Sequence, residues 1–130
     1  PYSVYIRVLK LSKLVKTKDG NDFLKSFKRI GSFTENINNE DLNQNIFIEK
    51  EEFDLNDLLS EIKKKYLVEE DFIFQDLKLM KRITNVLNGF CDNVTVNVDD
   101  QKIKKNRKVL ISRFYKIMND LYNFSILEIR

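Results

Sequence analysis

Apolar residues recur at intervals of three and four along most of the chain, and this spacing predicts helices. The stretches that carry it are 4–17, 23–30, 55–66, 72–88 and 108–122, with a shorter helix at 100–106. Segment 4–17 also contains an alternating run, so a strand is an alternative there. Asp54 is expected to cap helix 55–66, and Asp99 or Asp100 the short one, because an Asp side chain accepts hydrogen bonds from first-turn amides.

Three short runs have the β-branched and aromatic residues that are typical of strands, at 46–48, 94–98 and 125–129. Residues 32–45 are polar and rich in Asn, which predicts a loop. The pattern as a whole therefore indicates a mostly α protein with short β-strands, of the α+β class.

The order of elements from residue 71 onward resembles a winged-helix domain. A first helix is followed by a strand at 94–98, a helix-turn-helix pair at 100–106 and 108–122, and a first wing strand at 125–129. A second wing strand has no counterpart in the chain. The resemblance implies a winged-helix unit over residues 69–130.

Residues 1–68 are expected to form a first winged-helix-like unit that carries the Asn-rich insertion 32–45. Two such units in tandem resemble the C-terminal region of the Stn subunits of Ctc–Stn–Ten (CST) telomere complexes, which are similar to the middle subunit of replication protein A. The resemblance implies a non-catalytic protein-interaction module of a nuclear, chromosome-bound nucleoprotein complex. Its expected partners are protein subunits, and its expected location is the nucleus, with the cytoplasm as the alternative.

The composition narrows the chemistry available to this chain. Among its 130 residues there is no His and one Cys, Cys91, which excludes His-dependent catalysis, His-ligated metal sites and internal disulfides. We therefore expect no catalytic residues, no metal, no cofactor and no small-molecule substrate. No apolar run approaches the length of about 18 residues that a membrane span requires, so no membrane partner is expected. Because the chain begins at Pro1, it is expected to be a fragment, and a piece of an enzyme with its catalytic residues elsewhere is a third interpretation.

Between Gln101 and Lys116 the chain has a run of basic residues without an acidic one. The run contains Lys102, Lys104, Lys105, Arg107, Lys108, Arg113 and Lys116. On a helix-turn-helix such residues would contact phosphates, so these seven are the candidate nucleic-acid-binding residues. We expect the contact to be weak, because half a wing and an acidic middle segment limit it. The alternative function is a DNA-binding winged-helix domain of a transcription or replication factor.

Overall fold

The computed structural model describes residues 16–34, 41–68 and 77–122, with the backbone alone for 66–68 and 121–122. Within these ranges the chain forms four α-helices and a single turn of 3-10 helix. They are α1 (Lys18–Gly31), the 3-10 turn (Gln44–Ile46), α2 (Lys50–Val68), α3 (Leu77–Asn93) and α4 (Gln101–Tyr122). None of the helices in these ranges is both long and apolar enough to cross a membrane.

Side chains cap the starts of α1 and α4. The Thr17 hydroxyl accepts a hydrogen bond from the Gly20 amide at 3.0 Å. The Asp100 carboxylate accepts from the amides of Lys102 and Ile103 at 2.9 and 3.2 Å. These contacts satisfy first-turn amides that have no partner within the helix, and they confirm Asp100 as the cap that the sequence predicts.

The core lies between the helices, with α3 and α4 each in contact with both α1 and α2. It is built from the apolar positions at helical spacing, and its largest fully buried side chains include Phe23, Phe90, Phe114, Ile30, Leu55, Leu58, Ile62, Met80 and Ile83. Each such side chain contributes about 1.5–3 kcal/mol by leaving water. Burial of these apolar stripes holds the four helices together.

The α+β class is wrong for the described residues, which contain no strand. At the predicted strand 46–48, the chain instead turns: the Phe47 amide donates to the Gln44 carbonyl at 3.2 Å. The amides of Ile48 and Glu49 both donate to the Glu52 carboxylate, at 2.7 and 2.8 Å. The Glu52 side chain therefore accepts hydrogen bonds from amides that would otherwise have to pair with a neighbouring strand.

The predicted strand 94–98 is also wrong, although its alternation is real. Val94 and Val96 are buried while Thr95 and Asn97 are exposed. The Val98 amide donates to the Val96 carbonyl at 2.9 Å, which bends the backbone. The segment thus places two valines in the core as a connection between helices, without a neighbouring strand to pair with among the described residues.

The predicted helix-turn-helix pair is a single helix, because α4 runs without a break from Gln101 to Tyr122. No Gly or Pro stands between 106 and 108 to interrupt it. With the strand at 94–98 and the turn both absent, the described part of the chain does not support a winged helix. The predicted helix 4–17 lies outside the described residues except for Lys16 and Thr17, which precede α1, and the predicted strand 125–129 lies outside them entirely.

α1, α2 and α4 are longer than the periodicity indicates. α2 begins at Lys50, so Asp54 lies inside the helix and the prediction that it caps α2 is wrong. The division into units 1–68 and 69–130 stays a prediction. The hydrophobic cluster contains residues from both ranges, such as Phe27 and Leu58 from the first and Phe90 and Phe114 from the second.

Candidate nucleic-acid interface

The seven candidate basic residues all lie on α4, but they do not share one environment. Lys102, Lys105 and Lys116 are exposed. Successive residues of a helix are rotated by about 100°, which puts these three within about 60° of one another around the axis. We call them the lysine face. At about 1.5 Å per residue it extends about 21 Å along the helix.

The side of α4 turned away from the lysine face carries Leu110, Phe114 and Met118, each 0% exposed. Three of the remaining candidates, Lys104, Lys108 and Arg113, are half-buried and lie to either side. Val109 lies on the same side as the lysine face and is 1% exposed, so the open surface consists of separate lysines and not of a continuous strip. Phosphate contact by these side chains stays a prediction.

Arg107, the seventh candidate, is placed in the interior, where its side chain is 5% exposed. Its Nε donates to Glu52 Oε1 at 2.9 Å, and a terminal nitrogen donates to the Thr95 carbonyl at 2.7 Å. The Glu52 side chain is 1% exposed. The Arg107 guanidinium is buried and bonded to Glu52 and to the Thr95 carbonyl, so it cannot also reach a phosphate. Arg107 therefore has a structural role in this fold.

Sequence reasoning missed Glu52, although a signal for it was present. Glu49 precedes the first residue of α2 and Glu52 follows three positions later, which is the spacing of a capping box. The second Glu52 oxygen accepts from the amides of Ile48 and Glu49, and the bond from Glu49 is the half of a capping box in which the later carboxylate accepts from the cap residue's amide. Asp54 was predicted as the cap instead, because it directly precedes the regular apolar spacing that begins at Leu55.

Asn106, next to Arg107, is also buried, at 5% exposure. Its Oδ1 accepts from the Asn43 amide at 2.8 Å, and its Nδ2 donates to the Asn43 carbonyl at 3.0 Å. These two hydrogen bonds pair the side chain with a backbone unit as a neighbouring strand would. Asn106, in the second turn of α4, thus holds the backbone at Asn43 in place.

A second polar cluster joins α1 to the end of α3. Arg29 donates to Asp92 Oδ1 at 2.6 Å, and this hydrogen bond raises the pKa of the Arg29 guanidinium. Burial raises the pKa of the adjacent Cys91 thiol; the Arg29 charge opposes this rise and Asp92 adds to it. A thiol with a raised pKa is a poor nucleophile at neutral pH.

An open cleft of about 200 Å³ lies between α1 and α3, lined by Asp19, Asp22, Lys81, Thr84 and Asn85. Lys81 Nζ lies 3.6 Å from Asp19 Oδ2, so the ion pair occupies one side of it. In the described ranges no three Asp, Glu or Cys side chains are grouped as a metal would require. Neither this cleft nor the cluster of Arg29, Cys91 and Asp92 has the arrangement of a catalytic centre.

Comparison with known proteins connects the chain to one enzyme. It is 28% identical over 127 residues to the glycine–tRNA ligase beta subunit of Thermodesulfovibrio yellowstonii, covering 95% of this chain and 19% of that protein. The same subunit of Buchnera aphidicola from Acyrthosiphon pisum is 31% identical over 130 residues, again with 95% and 19% covered. That of Persephonella marina is 25% identical over 123 residues, covering 93% and 17%.

The chain therefore spans about a fifth of the length of the curated relatives it matches. No protein-family profile matches it. No solved structure matches it either. The chain is thus similar to subunits of a tRNA ligase, and in particular to the beta subunit of the glycine enzyme.

These findings correct the functional expectations drawn from the winged-helix resemblance. The relatives are ligase subunits, so the likeness to Stn and the telomere complex is wrong, as are the nuclear interaction module and the transcription or replication factor. The relatives are bacterial proteins, so the nuclear location is wrong as well.

One further expectation agrees with the comparisons at a coarser level, and another is not confirmed by them. The relatives are named as subunits, which agrees with protein subunits as partners. The expectation that the chain is no enzyme is not confirmed, because the relatives are components of a ligase.

Proposed function

We propose that this chain is a region of a glycine–tRNA ligase beta subunit and that it contacts tRNA through the lysine face of α4. The observation that carries the proposal is similarity to such subunits over 93–95% of the chain, in several bacteria. The name of the relatives supplies both a nucleic-acid substrate and at least one further subunit as partner. The bacterial relatives favour the cytoplasm as the location.

The chemistry of the chain favours binding over catalysis for this region. With no His, its general acids and bases would have to be carboxylates, lysines, tyrosines or the single thiol. Cys91 has a raised pKa and is half-buried, which does not suit a nucleophile. We infer that the reacting groups of the ligase lie elsewhere in the protein and that this region supplies contacts to tRNA.

The exposed lysines suit contact with phosphates and not recognition of bases. A lysine ammonium is a point charge that neutralises phosphate and releases counterions without reading sequence. The lysine face carries no exposed aromatic side chain on which a base could stack. We expect affinity in the nonspecific range of about 10⁻⁴ to 10⁻⁶ M at physiological salt.

The test is the salt dependence of binding to a glycine tRNA transcript. Replacing Lys102, Lys105 and Lys116 together by Ala should reduce the slope of log affinity against log salt by about 0.7–0.9 for each phosphate that is no longer neutralised. The matched control removes three exposed lysines from other helices, Lys25, Lys63 and Lys64.

The control variant loses the same charge, so it reports what net charge alone contributes. We expect its slope to fall by less than half as much as that of the lysine-face variant. Equal slopes for the two variants would mean that tRNA does not contact α4 specifically. No measurable binding of the unaltered chain at low salt would contradict the tRNA contact itself.

A further inference from the structure

The buried Glu52–Arg107 pair links three separate segments of the chain. Arg107 belongs to α4, and its fork-shaped guanidinium bonds Glu52 on α2 and the Thr95 carbonyl in the connection before α4. Glu52 and Arg107 are 55 positions apart in sequence. A guanidinium holds its donors in one plane, so two such bonds define a direction as well as a distance.

The carboxylate end of this pair cannot move freely. Glu52 Oε2 is bonded to the amides of Ile48 and Glu49, while Oε1 receives Arg107. The acceptor is thus fixed to the start of α2 by two backbone groups. Arg107 is therefore bonded to a carboxylate whose position is fixed relative to α2.

Asn106 supplies a second directional contact one residue earlier. It bonds both the amide and the carbonyl of Asn43. Adjacent helical residues point about 100° apart, so Asn106 and Arg107 hold α4 from two sides. The hydrophobic contribution of the apolar contacts of α4 is not directional, whereas these hydrogen bonds depend on both distance and angle.

We infer that Arg107 is a positioning residue, which with Asn106 fixes the rotation of α4 about its axis and thereby sets the direction of the lysine face. The inference rests on the proposed tRNA contact for its functional consequence. It gives a role to a basic residue that lies within the run at 101–116 but cannot touch a ligand. A buried ion pair of this kind specifies an arrangement more than it adds stability.

The size of the effect follows from helix dimensions. Side chains reach about 5–6 Å from the axis, so a rotation of 20° moves a lysine ammonium by about 2 Å. A charge-assisted hydrogen bond of about 2.8 Å is lost at any lysine whose flexible stem does not make up that displacement. Releasing one phosphate weakens binding about tenfold at 0.1 M salt, given a slope near 0.9 per neutralised phosphate.

The experiment compares the unaltered chain with the double variant Glu52→Gln and Arg107→Met. The amide oxygen of the new side chain at 52 can still accept from the two backbone amides. One charge of each sign is removed, so the net charge of +3 is unchanged. A change in tRNA affinity therefore cannot come from net charge.

Two measurements are made on each protein. Residual dipolar couplings of the backbone amides vary periodically along a helix, and their phase reports the rotation of α4 relative to α2. Binding of the glycine tRNA transcript is followed by fluorescence anisotropy over a range of salt. We expect a shifted phase or a reduced amplitude for α4, an affinity about tenfold weaker at 0.1 M salt, and a slope smaller by about one.

The control variant is Val96→Ala, which truncates a buried side chain in the same connection without touching the pair. It is measured well below its melting temperature, so that the variant is folded. Because Val96 contributes only to packing, its truncation should then leave tRNA binding unaltered. Affinity for tRNA should match that of the original chain. If this control loses as much affinity as the double variant, general loosening explains both and the inference is overturned.

The outcomes separate this inference from the proposed function. Unchanged phase and amplitude in the double variant overturn the positioning role, whatever the affinity. Altered couplings with unaltered tRNA affinity overturn the link to phosphate binding. If the original chain binds no tRNA, the proposed function fails, while altered couplings still support Arg107 as the residue that orients α4.

If the double variant fails to fold, a second variant tests the same inference. Arg107→Lys keeps the charge but offers a single ammonium, which cannot reproduce the two-directional fork. The same altered couplings and weaker binding are expected. Wild-type couplings and affinity in this folded variant would overturn the inference.

Discussion

Phe114 is the side chain whose removal should reveal most about the packing of α4. It is 0% exposed and belongs to the central hydrophobic cluster. α4 contacts α1 and α2 through this side. Truncation to Ala would leave a void enclosed by helices that hold one another in place.

The expected cost of Phe114→Ala follows from that burial. Transfer of a fully buried Phe from water contributes about 1.5–3 kcal/mol. The cavity left by incomplete relaxation raises the loss to about 3–5 kcal/mol in the free energy of unfolding. Ala has a higher helix propensity than Phe by about 0.5 kcal/mol, which is too little to offset the free-energy cost of the cavity.

Phe53→Ala is the matched control, since Phe53 is 47% exposed. Its ring packs edge-on against Phe47, with centroids 5.2 Å apart. Truncation removes about half of the transfer free energy, about 0.8–1.5 kcal/mol, and an edge-on ring interaction of about 0.5–1.5 kcal/mol, so the combined cost is about 1.3–3 kcal/mol. The same chemical change is thus expected to have two clearly different effects.

Urea unfolding followed by circular dichroism measures both losses. For 130 residues, an unfolding entropy of about 2.1 cal/mol/K per residue converts 3–5 kcal/mol into a fall of about 11–18 °C in the melting temperature. A loss below about 1 kcal/mol for Phe114→Ala, or equal losses for the two variants, would refute the assignment of this side of α4 to the core.

The remaining predictions concern two glycines and the thiol. Gly31→Ala should destabilise by about 1 kcal/mol in thermal melts, because the new Cβ would lie 3.3 Å from the Tyr115 ring, and stacking on Phe27 at 4.5 Å between centroids hinders that ring from moving away. Gly89→Ala meets only an ordinary contact at 3.8 Å, so it should stabilise by about 0.4–1 kcal/mol; the opposite order would contradict this account. Cys91 should react slowly with a maleimide at pH 7 and faster as the pH rises, since burial raises its thiol pKa. Asp92→Asn should speed the reaction at a given pH, because Asp92 adds to that rise; an unchanged rate would argue against it.

Most of the described helices, and the faces that they bury, could be predicted from the sequence. Spacing of apolar residues is a local property, and a helix repeats it over many turns, so the signal in α1 to α4 accumulates. The core positions Leu110, Phe114 and Met118 could be predicted in this way. Capping by Asp100 could be predicted as well, because its acceptor and amide donors are within three residues of one another.

The tertiary structure alone decided what the short polar and β-branched segments do. Alternation at 94–98 indicates which valines are buried, but a strand also needs a partner, and here the Thr95 carbonyl is bonded to Arg107 instead. The basic residues on α4 are close together in sequence, yet some are exposed, some are half-buried and Arg107 is buried.

Arg107 differs from Lys105 because a carboxylate 55 positions away meets it in the interior. Burying a charge is favourable only when such a partner is present, and chain folding brings that partner, which local sequence cannot specify.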